Sequence, residues 1–124
     1  LELTHGTMRN IVFPAEAALV SDVALGHAVG ATAALESALS GTRTILLNPY
    51  GMKAENDRLY EQADIVYSSL DSALAAIREY RAGKPERAGL GDWSPILPHF
   101  DPFRDGQAGQ RLRALLDEAV SHPC

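Results

Sequence analysis

Residues 26–36, Gly-His-Ala-Val-Gly-Ala-Thr-Ala-Ala-Leu-Glu, constrain this chain more than any other stretch, because they lie between two apolar runs, Val23-Ala24-Leu25 and Thr44-Ile45-Leu46-Leu47. A strand that breaks at glycines and re-enters as an Ala-rich helix leaves unpaired backbone N–H groups at the start of that helix. Those groups and the positive end of the helix dipole make a site for a phosphate or another anion, and glycine allows a ligand close to the backbone. The order strand, glycine loop, helix, Gly41, strand predicts a nucleotide-binding half of an α/β protein. The loop matches neither the Gly-Lys-Ser/Thr phosphate loop nor the G-x-G-x-x-G dinucleotide fingerprint. A plain tight turn from strand to helix therefore stands beside the anion-site reading.

The rest of the chain extends the alternation. Residues 10–13 read as a short strand stopped at Pro14, and 16–20 as a helical turn. Residues 22–25 read as the strand feeding the loop, and 31–40 as a helix ending at Gly41. In that helix Ala31, Ala34, Leu35, Ala38 and Leu39 form one apolar face. Residues 42–48 read as a buried strand, 55–62 as a polar helix and 63–67 as a fourth strand. Ser69 is the N-cap of a helix whose face is Leu70, Ala73, Leu74 and Ile77. Residues 81–100 read as a Gly/Pro-rich loop with the only tryptophan, Trp93. Residues 106–120 read as a last helix with Leu112, Leu115, Leu116, Ala119 and Val120 on one side. Strands alternating with short helices imply parallel β-α-β units with right-handed crossovers. The expected fold is a single α/β domain over 1–124, three-layered and Rossmann-like, with a small parallel sheet of about four strands.

Bulk properties narrow the function. A net charge of −5 with scattered basic residues argues against a nucleic-acid-binding face. The single cysteine, Cys124, leaves no internal disulfide or cysteine metal site and fits a reducing compartment, so a cytoplasmic location is expected. No apolar run approaches the ~18 residues of a membrane span. The chain starts at Leu1, and four strands make a thin sheet whose edge would expose pairing groups. Both observations suggest an excerpt from a longer protein, with self-association as a consequence.

Three residues favour the ligand reading of the loop. His27 stands at a strand tip, where ligands of parallel sheets bind. Thr32 and Glu36, at i and i+4, share a helix face. Glu36 falls roughly 8 Å along the helix, which suits a phosphate at the helix end and a ribose diol at the carboxylate; a merely solvated Glu36 is the alternative. His27 has no second ligand at metal-binding spacing, and no metal or cofactor is expected. There is no G-x-S-x-G elbow for a hydrolase. In Asp101-Pro-Phe-Arg-Asp-Gly106, Asp101 and Asp105 are both possible helix caps. The functional alternative is that the segment supports the donor site or a partner domain, with Arg104 pairing an acid or a phosphate.

Asp22-Val-Ala-Leu-Gly-His-Ala-Val-Gly30, Ala34-Leu-Glu-Ser-Ala-Leu-Ser-Gly41 and the strand after it resemble the donor-binding C-terminal half of GT-B glycosyltransferases. The segment at 101–106 with its following helix resembles the tail of those that build bacterial surface and capsular polysaccharide. The resemblance covers roughly residues 10–120. It implies that Gly26, His27, Gly30, Ala31 and Thr32 lie at the donor's diphosphate or sugar and Glu36 at its ribose. It also implies an acceptor-binding N-terminal domain, absent here, that usually supplies the catalytic base. No catalytic residue is therefore expected within the chain, which alone would bind a nucleotide-sugar without completing transfer. The alternative from another class is a non-catalytic α/β module binding a nucleotide or a partner.

Overall fold

The structure, a computed structural model, describes residues 12–53 and 55–122. Its centre is a three-stranded parallel sheet of β1 (Val23–His27), β2 (Arg43–Leu47) and β3 (Val66–Tyr67), in that spatial order. Val23 pairs with Arg43 and His27 with Leu47; Leu46 pairs with Val66 and Leu47 with Tyr67. The expected strand at 10–13 is not formed by Val12 and Phe13, and Asn10 and Ile11 lie outside the described residues. Phe13 instead starts α1 (Pro14–Ala18): its N–H donates to Glu16 Oε2 at 3.1 Å, ahead of a proline whose missing N–H costs nothing in a first turn.

β2 shows why the sheet is double-sided. Thr44, Ile45 and Leu46 are fully buried in succession, the run of a strand covered on both faces. Leu46 joins Ala28, Ala34, Ala38, Tyr60, Ile65 and Trp93 in one core. That face is covered by α2 (Thr32–Leu39), α3 (Asp57–Tyr60) and α5 (Leu97–Phe100). Ile45 joins Tyr67, Ala73, Ala76 and Leu90 in a second core under α4 (Leu70–Arg81). The expected α2 stripe is therefore the one buried. On α4 the buried face is Ala73 and Ala76 with Ile77 and Tyr80 beside them, while Leu70 is exposed. Ser69 caps α4 as expected, accepting from the Ser72 N–H at 3.1 Å.

The two helices that follow β1 and β3 end alike. Gly41 and Thr42 donate to Ala38 and Ser37 at the end of α2, and Gly83 and Lys84 donate to Tyr80 and Glu79 at the end of α4. This is the paired 5→2 and 6→1 closure that consumes a helix's last free carbonyls.

The expected loop at 81–100 is instead part of the core. Leu90, Trp93, Ile96 and Leu97 are all buried. β3 is shorter than the expected strand at 63–67, and Gly91 fills the gap beside it: the Thr44 N–H donates to the Gly91 carbonyl and the Gly91 N–H to the Asp64 carbonyl, both at 2.9 Å. A Cβ on Gly91 would lie 2.9 Å from Thr44 N, and its φ of +64° disfavours any other residue. Trp93 Nε1 then donates to the Thr44 carbonyl at 2.8 Å, and its ring packs on Tyr60 and Phe100. The segment closes the amino-terminal end of the sheet and leaves the carboxyl end open.

A 3-10 turn at Pro85–Arg87 is tied down by charge. Arg87 Nε donates to Glu79 at 2.8 Å and its Nη1 pairs Asp64 at 3.4 Å, while the Tyr67 hydroxyl donates to Asp64 at 2.7 Å. Burial and the Asp64 hydrogen bond push the Tyr67 phenol above its usual range. The last helix, α6 (Ala108–Ser121), has no buried residue.

Candidate functional site

The carboxyl ends of the three strands meet at one edge. Beyond the sheet the Ala28 N–H still donates to the Leu47 carbonyl at 2.9 Å, and the Asn48 N–H to the Tyr67 carbonyl at 2.8 Å. The loops after β1 and β2 therefore leave the sheet side by side.

Gly26 lies inside β1, and its role is packing. A Cβ there would stand 2.5 Å from the Ala34 Cβ, so the missing side chain is what seats α2 on the strand. β1 continues to His27, which is exposed at the strand end. Ala28 is buried, whereas Val29 and Gly30 are exposed. Gly30 has φ +69°, turning the chain toward the helix, and its carbonyl accepts the Thr32 N–H at 2.8 Å. Ala31 is the N-cap and offers no side-chain oxygen, so no side chain caps this end of α2. First-turn N–H groups lack an intrahelical partner by construction, and Thr32 and Ala33 are exposed. Thr32 and Glu36 are both exposed, on the side of α2 away from the buried Ala34 and Ala38. Gly30, Thr32 and Glu36 are thus exposed at the start and along the outer side of α2, and Ala31 is partly buried against the core. His27, next to the Gly26 that faces Ala34, falls on the opposite face of the sheet, with Leu47.

Asp101, Arg104 and Asp105 do not join them. Arg104 Nη2 donates to the Leu39 carbonyl at 3.4 Å, at the opposite end of α2, about 12 Å along its axis. Neither aspartate is the N-cap of α6, which is Gln107. Asp101 is the C-cap of α5, and its Oδ1 accepts the Arg104 N–H at 3.0 Å. Arg104 itself has φ +45°. Asp105 accepts the Gln107 N–H at 3.0 Å and pairs with Arg111, whose guanidinium holds the Asp105 carboxyl below its ordinary range. These contacts make the segment a self-bonded connector between α5 and α6.

One feature beside the loop has a weak signal in the sequence, the Asn-Pro-Tyr-Gly turn. The Asn48 side chain donates to the Met52 carbonyl at 2.8 Å and accepts the Met52 N–H at 2.9 Å, locking the turn after β2 and leaving Tyr50 81% exposed. A cleft of about 350 Å³ is lined by this turn (Asn48, Gly51, Met52) together with Lys53, Asp57, Glu61 and Asp64 among others. It does not include the glycine loop. Among the described residues no His, Cys, Asp or Glu group is arranged to hold a metal ion. None of the described helices is long and apolar enough to cross a membrane. Comparison with protein-family models, curated proteins and solved structures finds no match to this chain.

Proposed function

We propose that this chain is the donor-binding part of a cytoplasmic glycosyltransferase of surface polysaccharide synthesis, a Rossmann-like unit that holds a nucleotide-sugar by its diphosphate. The observation that carries the reading is the uncapped N-terminus of α2 at the carboxyl edge of a parallel sheet, with Glu36 exposed one turn inside it. Open α/β sheets bind ligands at that edge, and the loop amides with the helix dipole favour a diphosphate there. The Glu36 carboxylate is the acceptor for two ribose hydroxyls. During transfer the same amides would stabilise the departing nucleoside diphosphate as its charge develops. An acceptor-binding domain would supply the acceptor and the base, so the chain alone binds a donor without transferring its sugar.

Half the contacts of a closed site give weak binding, with dissociation constants near the millimolar end, only about −4 kcal/mol. Titration of labelled protein with UDP, GDP and CMP should shift amide resonances in residues 26–36. Glu36→Gln should remove about 1.5–3 kcal/mol of nucleoside diphosphate binding and leave inorganic pyrophosphate binding unchanged. Shifts confined to α6, or equal losses for both ligands, would refute the assignment.

A further inference from the structure

We propose that α6 is a self-association surface on which a second copy of this chain docks with its own α6 antiparallel. The observation behind it is an amphipathic helix whose apolar face is more than half exposed among the described residues. Leu112, Leu115 and Leu116 are 58%, 63% and 58% exposed and Val120 is 80% exposed, on one face with Ala119. Fourteen residues make a helix about 21 Å long, of which the apolar stripe from Leu112 to Val120 covers about 12 Å, and such a stripe on the surface marks a contact face.

Charge selects the occupant. The basic residues flanking the stripe, Arg111 and Arg113, lie in its first half, and the acidic ones, Asp117 and Glu118, in its second. At 100° per residue Arg111 and Glu118 fall on one flank and Arg113 and Asp117 on the other. The midpoint of each pair falls at or beside Leu115, which is also near the centre of the leucine stripe. A two-fold axis through Leu115 therefore sets Arg111 opposite Glu118 of the second copy, and Arg113 opposite its Asp117, each contact occurring twice. It also opposes the helix dipoles. Parallel pairing in register would instead set Arg beside Arg and acid beside acid.

Within the monomer Arg113 already pairs with Asp117 one turn on at 3.9 Å, an exposed pair that the Arg113 and Asp117 of the second copy would share. Arg111 lies 3.9 Å over the Phe103 ring and pairs with Asp105, which fixes its stem while its fork keeps further donors. Glu118 has no cation partner within the chain among the described residues. A single pair of short helices buries less than the roughly 800 Å² per partner of a standard interface, so the dimer is reversible.

Sedimentation equilibrium of the full chain from about 10 μM to 1 mM should show a monomer–dimer equilibrium with its midpoint inside that range. Leu115→Gln should raise the dimer dissociation constant about tenfold or more, and Glu118→Arg should raise it severalfold. Because α6 contributes no buried residue, both variants should keep the wild-type circular dichroism and melting temperature at dilutions where all are monomeric. Raising salt from about 20 to 500 mM should weaken the dimer, since attraction across the flanks is screened. A monomer throughout, or a dimer indifferent to Leu115→Gln, would overturn the proposal. A dimer that tightens with salt would overturn the antiparallel arrangement.

Discussion

Replacing Gly26 by alanine tests the contact that sets the position of the loop. The new Cβ would stand 2.5 Å from the Ala34 Cβ, where ordinary contacts begin near 3.4 Å, so strand and helix must separate by about 0.9 Å. The neighbours cannot give easily: Ala34 is buried, and Leu46 Cδ2 lies 3.5 Å from the same point. Overpacking of this kind costs about 1–3 kcal/mol. Ala34→Gly alone loses a buried methyl, about 0.8 kcal/mol, and about 1 kcal/mol of helix propensity. Independent effects would then sum to about 3–5 kcal/mol in the double variant. In the structure they are not independent, because Gly26→Ala with Ala34→Gly moves one methyl from helix to strand and removes the clash. The double variant should lose only about 1–2 kcal/mol, giving a coupling of about 2 kcal/mol, within the range for residues in direct contact. Urea unfolding followed by far-ultraviolet circular dichroism measures all four proteins, a single domain of this size being suited to two-state treatment. Additive losses would refute the claim that Gly26 is glycine because α2 sits directly on it.

Two further outcomes follow from the amino-terminal end of the sheet and from the ion pairs. Trp93→Phe deletes the donor to the Thr44 carbonyl inside a dry core and should cost about 1–3 kcal/mol by urea unfolding; a loss under about 0.5 kcal/mol would mean that the hydrogen bond does not hold the segment. The hydrogen bond from Arg87 holds the Glu79 carboxyl below its ordinary range, with a smaller contribution from Lys84. A depressed folded-state pKa stabilises above the unfolded carboxylate range and is lost as pH falls through the folded value. The stability difference between wild type and Glu79→Gln should therefore be constant near neutrality and vanish in strong acid, as read from urea midpoints; a difference that persists in strong acid would assign it to packing.

Local chemistry was enough to place most of the α/β framework. The glycine break, the alanine stripe and Gly41 mark α2 because helix periodicity, closure and strand propensity are properties of neighbouring residues. The Ser69 cap and the buried run at 44–46 are legible for the same reason. Of the candidate site, Gly30, Ala31, Thr32 and Glu36 are close in sequence because they open one helix, whereas His27 falls on the other face of the sheet, a consequence of strand alternation beside a Gly26 that faces α2.

Contacts between distant residues were decided only by tertiary structure. The segment at 81–100 carries glycines and prolines that mark turns, yet it is core, because a two-residue β3 leaves a gap that Gly91 fills and a carbonyl that Trp93 caps. Gly26 looks like part of the ligand loop in sequence and proves to be the seat of α2, a distinction that depends on a helix packed across it. Arg104 is drawn to the Leu39 carbonyl, 65 residues away in sequence and at the far end of the helix from Gly30. The leucines of α6 have the period of a buried helix and are exposed. Periodicity determines which face of a helix is apolar; only the rest of the fold, or a partner, determines whether that face is covered.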